Sequence, residues 1–264
     1  SNPLGFRWSA LPREERVAVL ATMLKALFGP LMSMALLTAT MGLIGNGMAV
    51  LNDLSASFTF RETYDRHLHW FLFQCIVMAD VFVFTFGYLV ELPRLNNRIR
   101  SVDPTLLGWA AALVCYAPFN IVVSVLLGSP GGEFPQFTSP WLHFGMNAAL
   151  LGLMVVYTWA SIALGFKASN LTHRGIVTHG PYRWVRHPAY VCKNMAWWIG
   201  SVPIVQAAFA VSTYAGILAL GSMLGWALLY VLRAITEEDH LRSVDGEYAA
   251  YAAQVRYRFI PGLL

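Results

Sequence analysis

Apolar residues along this chain are grouped into long continuous runs, and short intervening segments carry most of the charge. A helix needs about 20 apolar residues to cross the hydrocarbon core of a bilayer. Runs near that length occupy residues 17–44, 70–90, 106–127, 142–166, 188–211 and 213–233. The pattern therefore predicts an all-α protein, a polytopic membrane bundle of about six transmembrane helices.

The fifth of these runs differs from the others because it contains polar and helix-breaking residues, among them Lys193, Asn194, Gly200 and Pro203. Proline inside a helix removes a backbone hydrogen bond and bends the chain. Irregular backbone at membrane depth must also be covered by protein. We therefore expect this run to form a kinked helix or one half of a tight hairpin.

The amino-acid composition indicates a membrane protein, and the polar residues are concentrated in the second half of the chain. With 57% hydrophobic and 12% charged residues, the chain has too few polar side chains to cover a water-soluble globule. We treat residues 1–264 as one membrane domain. Residues 1–140 read as a helical scaffold with little chemistry, whereas polar residues recur at the helix ends in residues 141–264. Any active site should therefore lie in the second half.

The distribution of cations predicts the topology. Lysine and arginine are retained on the cytoplasmic side of short loops, and only Arg61 and Arg66 fall on the opposite side in this arrangement. The cations of the predicted cytoplasmic side are Arg7, Arg13, Arg16, Arg94, Arg98, Arg100, Lys167, Arg174, Arg183, Arg186, Arg233, Arg242, Arg256 and Arg258. We expect both termini and the polar site to be cytoplasmic. The net charge of +4 is then a topology signal, and no nucleic-acid partner is expected.

Three cysteines and one acid lie inside the apolar runs. Cys75, Cys115 and Cys192 have spacings that match neither a zinc site nor a disulfide framework, so we expect small buried side chains and no metal site. Asp80 lies near the middle of the second run, where a charged carboxylate is costly. It is either a functional acid or a hydrogen-bonded packing residue.

The segment Gly180–Tyr190 crowds two arginines, a histidine and two tyrosines between apolar runs. Pro188 suits the first position of a helix, which places His187 at or near the N-cap. Because a helix start exposes unpaired N–H groups, this corner should attract an anion, assisted by Arg183 and Arg186. Gly180 and the proline after it predict a turn. The alternative is that the arginines contact lipid head groups and His187 only caps the helix.

Three consecutive acids, Glu237, Glu238 and Asp239, follow the last apolar run. On a helix Glu237 lies four residues after Arg233, and Glu238 four before Arg242, so each carboxylate has a cation in reach. The segment is either a solvated, salt-bridged helix end or a helix that turns one glutamate toward His187.

A turn at Asp245-Gly246 follows, and then apolar residues recur at helical spacing. The residues on this face are Tyr248, Tyr251, Ala252, Val255 and Phe259. The pattern predicts a cytoplasmic amphipathic helix that lies on the membrane, where it either covers a pocket or serves as a plain interfacial anchor.

Several of these motifs, taken in order, resemble the C-terminal signature of the isoprenylcysteine carboxyl methyltransferase family, a superfamily that includes phospholipid N-methyltransferases. The resemblance covers roughly residues 150–262. It rests on Leu164-Gly165, Thr178–Arg183, Arg186–Tyr190, Glu237-Glu238, Leu241, Gly246, Tyr248, Tyr251, Val255 and Ile260-Pro261. This chain has Cys192-Lys193 where the family often has a glycine, and it has Asp245-Gly246 in place of Phe-Gly.

The resemblance implies a cofactor, S-adenosylmethionine, and a lipophilic acceptor that enters from the bilayer. The cofactor would be bound in the half 141–264. Carried over to this sequence, the implied cofactor-binding residues are His179, Gly180, Pro181, Tyr182, Arg183, His187, Pro188, Tyr190 and Glu237. The implied catalytic or acceptor-steering residues are Glu237, Glu238, Arg186 and Arg256. Membrane lipids are the expected surroundings, and the resemblance does not indicate an oligomeric state.

Two other classes of protein fit parts of the pattern. An NADPH-dependent sterol reductase would also carry Arg-His-Pro-x-Tyr and a terminal segment like Tyr257–Pro261, although Gly-Pro-Tyr-Arg favours methyl transfer. A transporter of a lipophilic ligand would fit Asp80 and Pro203, but the chain has no inverted half-repeats. Binding of S-adenosylhomocysteine separates these classes from a methyltransferase.

Overall fold

The computed structural model describes residues 10–128 and 131–262, so Arg7 of the predicted cytoplasmic cations lies outside the described residues. The α-helices of the described part are α1 (Arg13–Ser55), α2 (Phe60–Thr63), α3 (His69–Leu89), α4 (Leu106–Leu113), α5 (Phe119–Leu127), α6 (Pro140–Leu164), α7 (Pro188–Val211), α8 (Thr213–Val244) and α9 (Glu247–Gln254). A π-helical turn, Tyr64–Leu68, joins α2 to α3. Short 3-10 turns occupy Pro93–Leu95, Gly165–Lys167 and Gly180–Arg183.

The predicted helical membrane bundle is confirmed, but the count of six spans is not. Within the described ranges, five helical segments are long and apolar enough to cross a membrane: α1, Phe60–Leu89, Pro140–Lys167, α7 and α8. The run 106–127 instead forms the two short helices α4 and α5, of 8 and 9 residues. At about 1.5 Å per residue, neither crosses the hydrocarbon core alone. An apolar run of sufficient length therefore did not ensure a continuous helix.

The fifth run forms one half of a tight hairpin, as one of the two alternatives predicted. A single residue, Ser212, separates α7 from α8, and its hydroxyl accepts a hydrogen bond from the N–H of Ala215 at the start of α8. Trp197 of α7 packs edge-on against Trp226 and Tyr230 of α8. The helix α7 continues through Pro203 to Val211.

The helices present apolar side chains on their outer faces. On α1, Met34, Met41 and Met48 are each more than 60% exposed. Water-soluble proteins rarely expose continuous apolar surfaces of this kind. The bundle is therefore built to be surrounded by lipid.

The two halves of the chain are joined beneath the helix ends by a short β-ladder. Strands β1 (Ser101–Val102) and β2 (Thr172–His173) pair antiparallel, a small element that the all-α prediction did not contain. Beside the ladder, the hydroxyl of buried Tyr88 on α3 accepts hydrogen bonds from the backbone and side-chain nitrogens of Asn170, both at 2.7 Å. These bonds fix the loop after α6 against the N-terminal half.

Candidate functional site

The turn that precedes α7 requires glycine at its first position. Gly180 has φ +62°, in the left-handed region that side chains rarely adopt. A Cβ atom there would also lie 3.0 Å from Cβ of Ala163 and 3.6 Å from the indole nitrogen of Trp159, both on α6. The predicted turn at Gly180 is thus confirmed, and its close packing on α6 fixes the direction in which the chain enters α7.

His187 is the N-cap of α7, and Pro188 is its first residue, as the sequence predicted. The first N–H groups of a helix have no partner within the helix and carry the positive end of its dipole. Ala189 and Tyr190, in this first turn, line a cavity between the helix ends. The positive end of α7 therefore faces that cavity.

Glu238 on α8 forms hydrogen bonds with the residues that immediately precede α7. Its side chain is fully buried, and its Oε1 accepts hydrogen bonds from Nε of Arg186 at 2.9 Å, Nε2 of His187 at 3.1 Å and Nε of Arg258 at 3.0 Å. Its Oε2 accepts from Arg242 at 2.8 Å and from Arg258 at 3.0 Å. The hydrogen bond to Glu238 raises the pKa of the Arg258 guanidinium. A buried carboxylate needs such partners, and both of its oxygens are engaged.

The neighbouring acid, Glu237, is in a different environment. Its side chain is exposed, and its Oε2 accepts a 2.8 Å hydrogen bond from the hydroxyl of Tyr190. Glu237 lines the cavity, and Tyr190 stacks on the ring of His187 with centroids 5.2 Å apart. The structure therefore brings together the His187 corner and the acidic segment.

The C-terminal tail closes over the same corner. The backbone N–H groups of Arg186 and His187 donate to the carbonyls of Tyr257 and Arg258, both at 3.0 Å. The side chain of Arg186 also donates to the carbonyls of Val255 and Arg256. These bonds hold the tail as an extended strip across the start of α7.

The predicted amphipathic helix is present but shorter than expected. It ends at Gln254, so Val255 and Phe259 lie beyond it. Its apolar face packs within the protein, because Tyr248 and Tyr251 are buried and the hydroxyl of Tyr251 donates to the carbonyl of Tyr182 at 2.8 Å. This packing contradicts a plain interfacial anchor, which would present that face to lipid.

A cavity lies between these elements and opens to solvent. Predicted site residues that line it are Tyr182, Arg186, His187, Tyr190 and Glu237. Other predicted site residues are buried or half-buried and are not in its lining: Gly180, Pro181, Pro188 and Glu238. Three lie exposed on the outer surface: His179, Arg183 and Arg256. Whether each of these residues binds a cofactor stays a prediction.

Arg233, which lines the cavity, was interpreted wrongly from the sequence. The expected pair with Glu237 is not among the ion pairs of residues 10–128 and 131–262, whereas the pair of Glu238 with Arg242 is. The buried guanidinium of Arg233 instead donates to Oδ1 of Asn170 at 2.7 Å. It also lies 5.0 to 5.7 Å from the ring centroids of Tyr116, Tyr190 and Tyr230. A buried cation without a carboxylate partner is suited to bind an anion.

His240, which follows Glu237 on α8, also lines the cavity. Its Nε2 hydrogen-bonds with the hydroxyl of Ser101 at 3.1 Å, and its Nδ1 is buried without a partner within the described part of the chain. Because Ser101, in β1, and Asn170, in the loop after α6, are far from His240 and Arg233 in sequence, no local pattern marks them. The helical spacing from Arg233 through Glu237 to His240 was the one signal available for this face of α8.

The cavity combines groups that match the parts of S-adenosylmethionine. The helix start and the unpaired cation Arg233 suit its carboxylate, and the carboxylate of Glu237 suits its ammonium or sulfonium group. Tyr182 and Tyr190 also line the cavity, and aromatic side chains suit an adenine or a sulfonium group. The residues present therefore fit this cofactor.

Comparison with protein families finds a match for the segment that supplies most of the residues lining this cavity. Residues 144–243 match the model of the isoprenylcysteine carboxyl methyltransferase (ICMT) family. A comparison with curated proteins finds no match to the chain. The matched segment covers most of α6, all of α7 and almost all of α8. This helical membrane bundle thus contains a segment that is similar to the isoprenylcysteine carboxyl methyltransferase family, as its motifs indicated.

Proposed function

We propose that this protein transfers the methyl group of S-adenosylmethionine to a lipophilic acceptor that enters from the bilayer. The observation that carries the proposal is the meeting of the α7 start, Glu237 and the unpaired Arg233 around one cavity in the matched methyltransferase segment. Charged and polar side chains are part of the lining of this cavity, and the outer faces of the bundle are apolar. That arrangement suits a polar cofactor and a lipid-soluble substrate.

Each cavity residue has a proposed task. Arg233 binds the cofactor carboxylate, and the first turn of α7 adds its dipole. Glu237, oriented by Tyr190, binds the cationic part of the cofactor. When bound, the cofactor supplies an electrophilic methyl group on a positively charged sulfur. The reaction then depends on alignment and on exclusion of water, which the packed tyrosines provide.

Glu238 and Arg186 are proposed as positioning residues. The carboxylate of Glu238 is engaged by Arg186, His187, Arg242 and Arg258, so it holds the corner in place and is not available as a base. Arg256 lies exposed on the tail strip, where it would steer an acceptor toward the cavity mouth. Glu237 is therefore the glutamate that we assign to direct contact with the cofactor.

Both termini and the cavity mouth are proposed to face the cytoplasm. In support, Arg13 at the start of α1 shares a surface pocket with Arg100, His173 and Asp245, near the end of α8. Arginines crowd this end of the bundle, as the positive-inside rule requires. Accessibility of a cysteine introduced at exposed Arg256, tested with an impermeant reagent in intact cells and in inverted vesicles, checks the assignment.

The deciding experiment follows a labelled methyl group. Membranes that contain the protein are incubated with methyl-labelled S-adenosylmethionine, and the lipid extract is searched by mass spectrometry for a mass gain of one labelled methyl. Membranes with the Glu237→Gln variant are the matched control. Label in the wild-type extract alone supports the proposal. Deuterium transfer from labelled NADPH, with no methyl transfer, would instead indicate a reductase. Neither transfer, together with no binding of S-adenosylhomocysteine, would indicate a transporter.

A further inference from the structure

Two cations from distant parts of the chain meet where the loop after α6 joins the β-ladder. Lys167 is the last residue of Pro140–Lys167, one of the helical segments that are long and apolar enough to cross a membrane. Arg100 immediately precedes β1, and its backbone N–H donates to the carbonyl of His173 in β2 at 2.9 Å. Gly175 follows β2 after one intervening residue. The ladder therefore places Arg100 beside the loop that contains Lys167 and Gly175.

Gly175 leaves open the space between these two cations. A Cβ atom added to it would lie 3.3 Å from Nζ of Lys167 and 3.4 Å from Nη2 of Arg100, so both nitrogens lie around one position. The φ of Gly175 is +103°, which side chains rarely adopt. A larger residue would therefore strain the backbone and would also occupy the space between the two cationic groups.

Neither cationic group has a partner within residues 10–128 and 131–262. The ammonium of Lys167 and the guanidinium of Arg100 take part in no ion pair and no hydrogen bond there. Two acids, Asp245 and Glu247, line a surface pocket together with Arg100. Asp245 is engaged by Nε2 of His173 at 2.9 Å, and Glu247 is exposed on α9. No carboxylate of the described chain therefore lies at ion-pair distance from either cation.

Arg174, the residue before Gly175, adds a buried cation with unused donors. It is 2% exposed, and its Nη1 donates to the carbonyl of Asn97 at 2.8 Å, whereas its Nε and Nη2 are buried without a partner in the described part of the chain. Glu91 exerts a charge effect on Arg174, but the carboxylate of Glu91 is itself bound by Lys25 at 2.8 Å. A buried charge is costly unless it is balanced. An anion bound beside this segment would therefore offset part of that cost.

We propose that Lys167 and Arg100, on either side of Gly175, bind the phosphate group of an anionic phospholipid. An ammonium and a guanidinium that converge on one open position form charge-assisted hydrogen bonds with phosphate oxygens. Because Lys167 ends a membrane-crossing segment, the site lies at the depth of the lipid head groups, where basic pockets recognise anionic lipids. A zwitterionic head group would bring its own cation close to these two. Lys167, Arg100 and Gly175 do not line the cavity that we assign to the cofactor, so this is a separate site.

Comparison of three probes tests the ligand chemistry. Dioctanoyl phosphatidylglycerol, dioctanoyl phosphatidylcholine and glycerol 3-phosphate are titrated by calorimetry against the full chain in micelles of an uncharged detergent. We expect the phosphatidylglycerol to bind most tightly and the other two at least about tenfold more weakly. Equal affinity for the two lipids would overturn the proposal. Equal affinity for glycerol 3-phosphate and phosphatidylglycerol would show a site for soluble phosphate esters and would overturn the lipid as its ligand.

Substitutions that change the charge test whether the site is local. Lys167→Gln should weaken phosphatidylglycerol binding by about tenfold, because one charge-assisted bond is lost. Lys167→Arg keeps the charge and should stay within about threefold of wild type. Arg94→Gln is the matched control, since Arg94 is exposed on the 3-10 turn Pro93–Leu95 and its loss changes the net charge equally. It should stay within about twofold of wild type. Equal losses in Lys167→Gln and Arg94→Gln would mean that only the overall positive charge attracts the lipid.

Filling the space between the cations tests the location. Gly175→Ala should weaken phosphatidylglycerol binding at least about tenfold, whereas Gly152→Ala, which has open space around its Cβ position, should leave it unchanged. Thermal unfolding of each variant identifies any loss of the fold. If Gly175→Ala does not fold, Arg100→Gln removes the other cation at an exposed position and should weaken binding about tenfold. Unchanged phosphatidylglycerol affinity in a folded Gly175→Ala or Arg100→Gln protein would show that the phosphate is not bound here.

Discussion

The hydroxyl of Tyr190 donates a 2.8 Å hydrogen bond to Oε2 of Glu237 and so joins the first turn of α7 to the end of α8. Since both residues line the cavity, we expect Glu237→Gln to weaken binding of S-adenosylhomocysteine about ten- to hundredfold, the usual value of one charge-assisted bond. Tyr190→Phe should have a smaller effect, because the ring remains. Isothermal titration of the purified protein measures both.

The neighbouring acid Asp239 provides the control for that prediction. Its side chain is 67% exposed and forms a 3.5 Å ion pair with Arg242 on the surface. Asp239→Asn should therefore leave ligand affinity within about twofold of wild type, as expected for a weak surface ion pair. Equal losses in Glu237→Gln and Asp239→Asn would mean that the net charge of the segment matters and not the position of Glu237.

Glu238 should affect folding more than ligand contact. Its buried carboxylate is the shared acceptor for Arg186, His187 and Arg258, so Glu238→Gln leaves a cluster of cations without its counter-charge. Loss of one partner from a buried ion pair costs about 3–5 kcal/mol of unfolding free energy. Thermal unfolding in detergent measures the loss, and Glu237→Gln, at an exposed site, should unfold close to wild type. A Glu238→Gln protein of native stability would contradict the role given to this carboxylate.

Replacement of Arg233 should weaken ligand binding without lowering the stability of the fold, which is the reverse of the effect expected for Glu238. The buried guanidinium has Asn170 and three aromatic rings around it but no acid within ion-pair distance in the described chain. Exchange of such a charge for a similar apolar volume is often neutral or stabilising. We therefore expect Arg233→Met to unfold at or above the wild-type temperature while binding of S-adenosylhomocysteine falls at least about tenfold.

The sequence predicted the long helices better than it predicted the contacts within the site. Apolar runs predicted α1, α6, α7 and α8, and the proline of His187-Pro188 predicted the start of α7, because these features depend on local residues. The run 106–127 was predicted as one span but forms two short helices, because length and hydropathy do not show where a helix is interrupted.

Contacts between distant segments were beyond the sequence. The spacing of Arg233 and Glu237 allowed an ion pair, yet the guanidinium turns to Asn170, whose position depends on Tyr88 of α3. A second cavity, lined by residues of α3, α6 and α7, likewise requires α3 and α6 to pack beside Lys193. Periodicity shows which residues share one face of a helix, but it does not show which residues of other segments will pack against that face.

Gly180 offers a test of the turn that leads into α7. Its φ is +62°, and a Cβ atom added to it would lie only 3.0 Å from Ala163, so alanine should lower the unfolding free energy by more than about 1 kcal/mol. Gly152, on the same helix as Ala163, has open space around its Cβ position and is the matched control. Gly152→Ala should be neutral or slightly stabilising. If both alanine variants unfold alike, the left-handed turn carries no special requirement for glycine.

The buried His173 should make the free energy of unfolding depend on pH. It is buried in β2, and burial lowers the pKa of its imidazole below the ordinary 6.5, although Asp245 at 2.9 Å opposes the shift. The unfolded chain therefore takes up a proton more readily than the folded one. The stability that comes from keeping His173 neutral is complete above pH 6.5. It is lost as the pH falls through the lower pKa that His173 has in the folded state. Thermal unfolding between about pH 8 and about pH 5 should show this decline. The His173→Gln variant should show a flatter profile, and an identical slope in the two proteins would assign the decline to other groups.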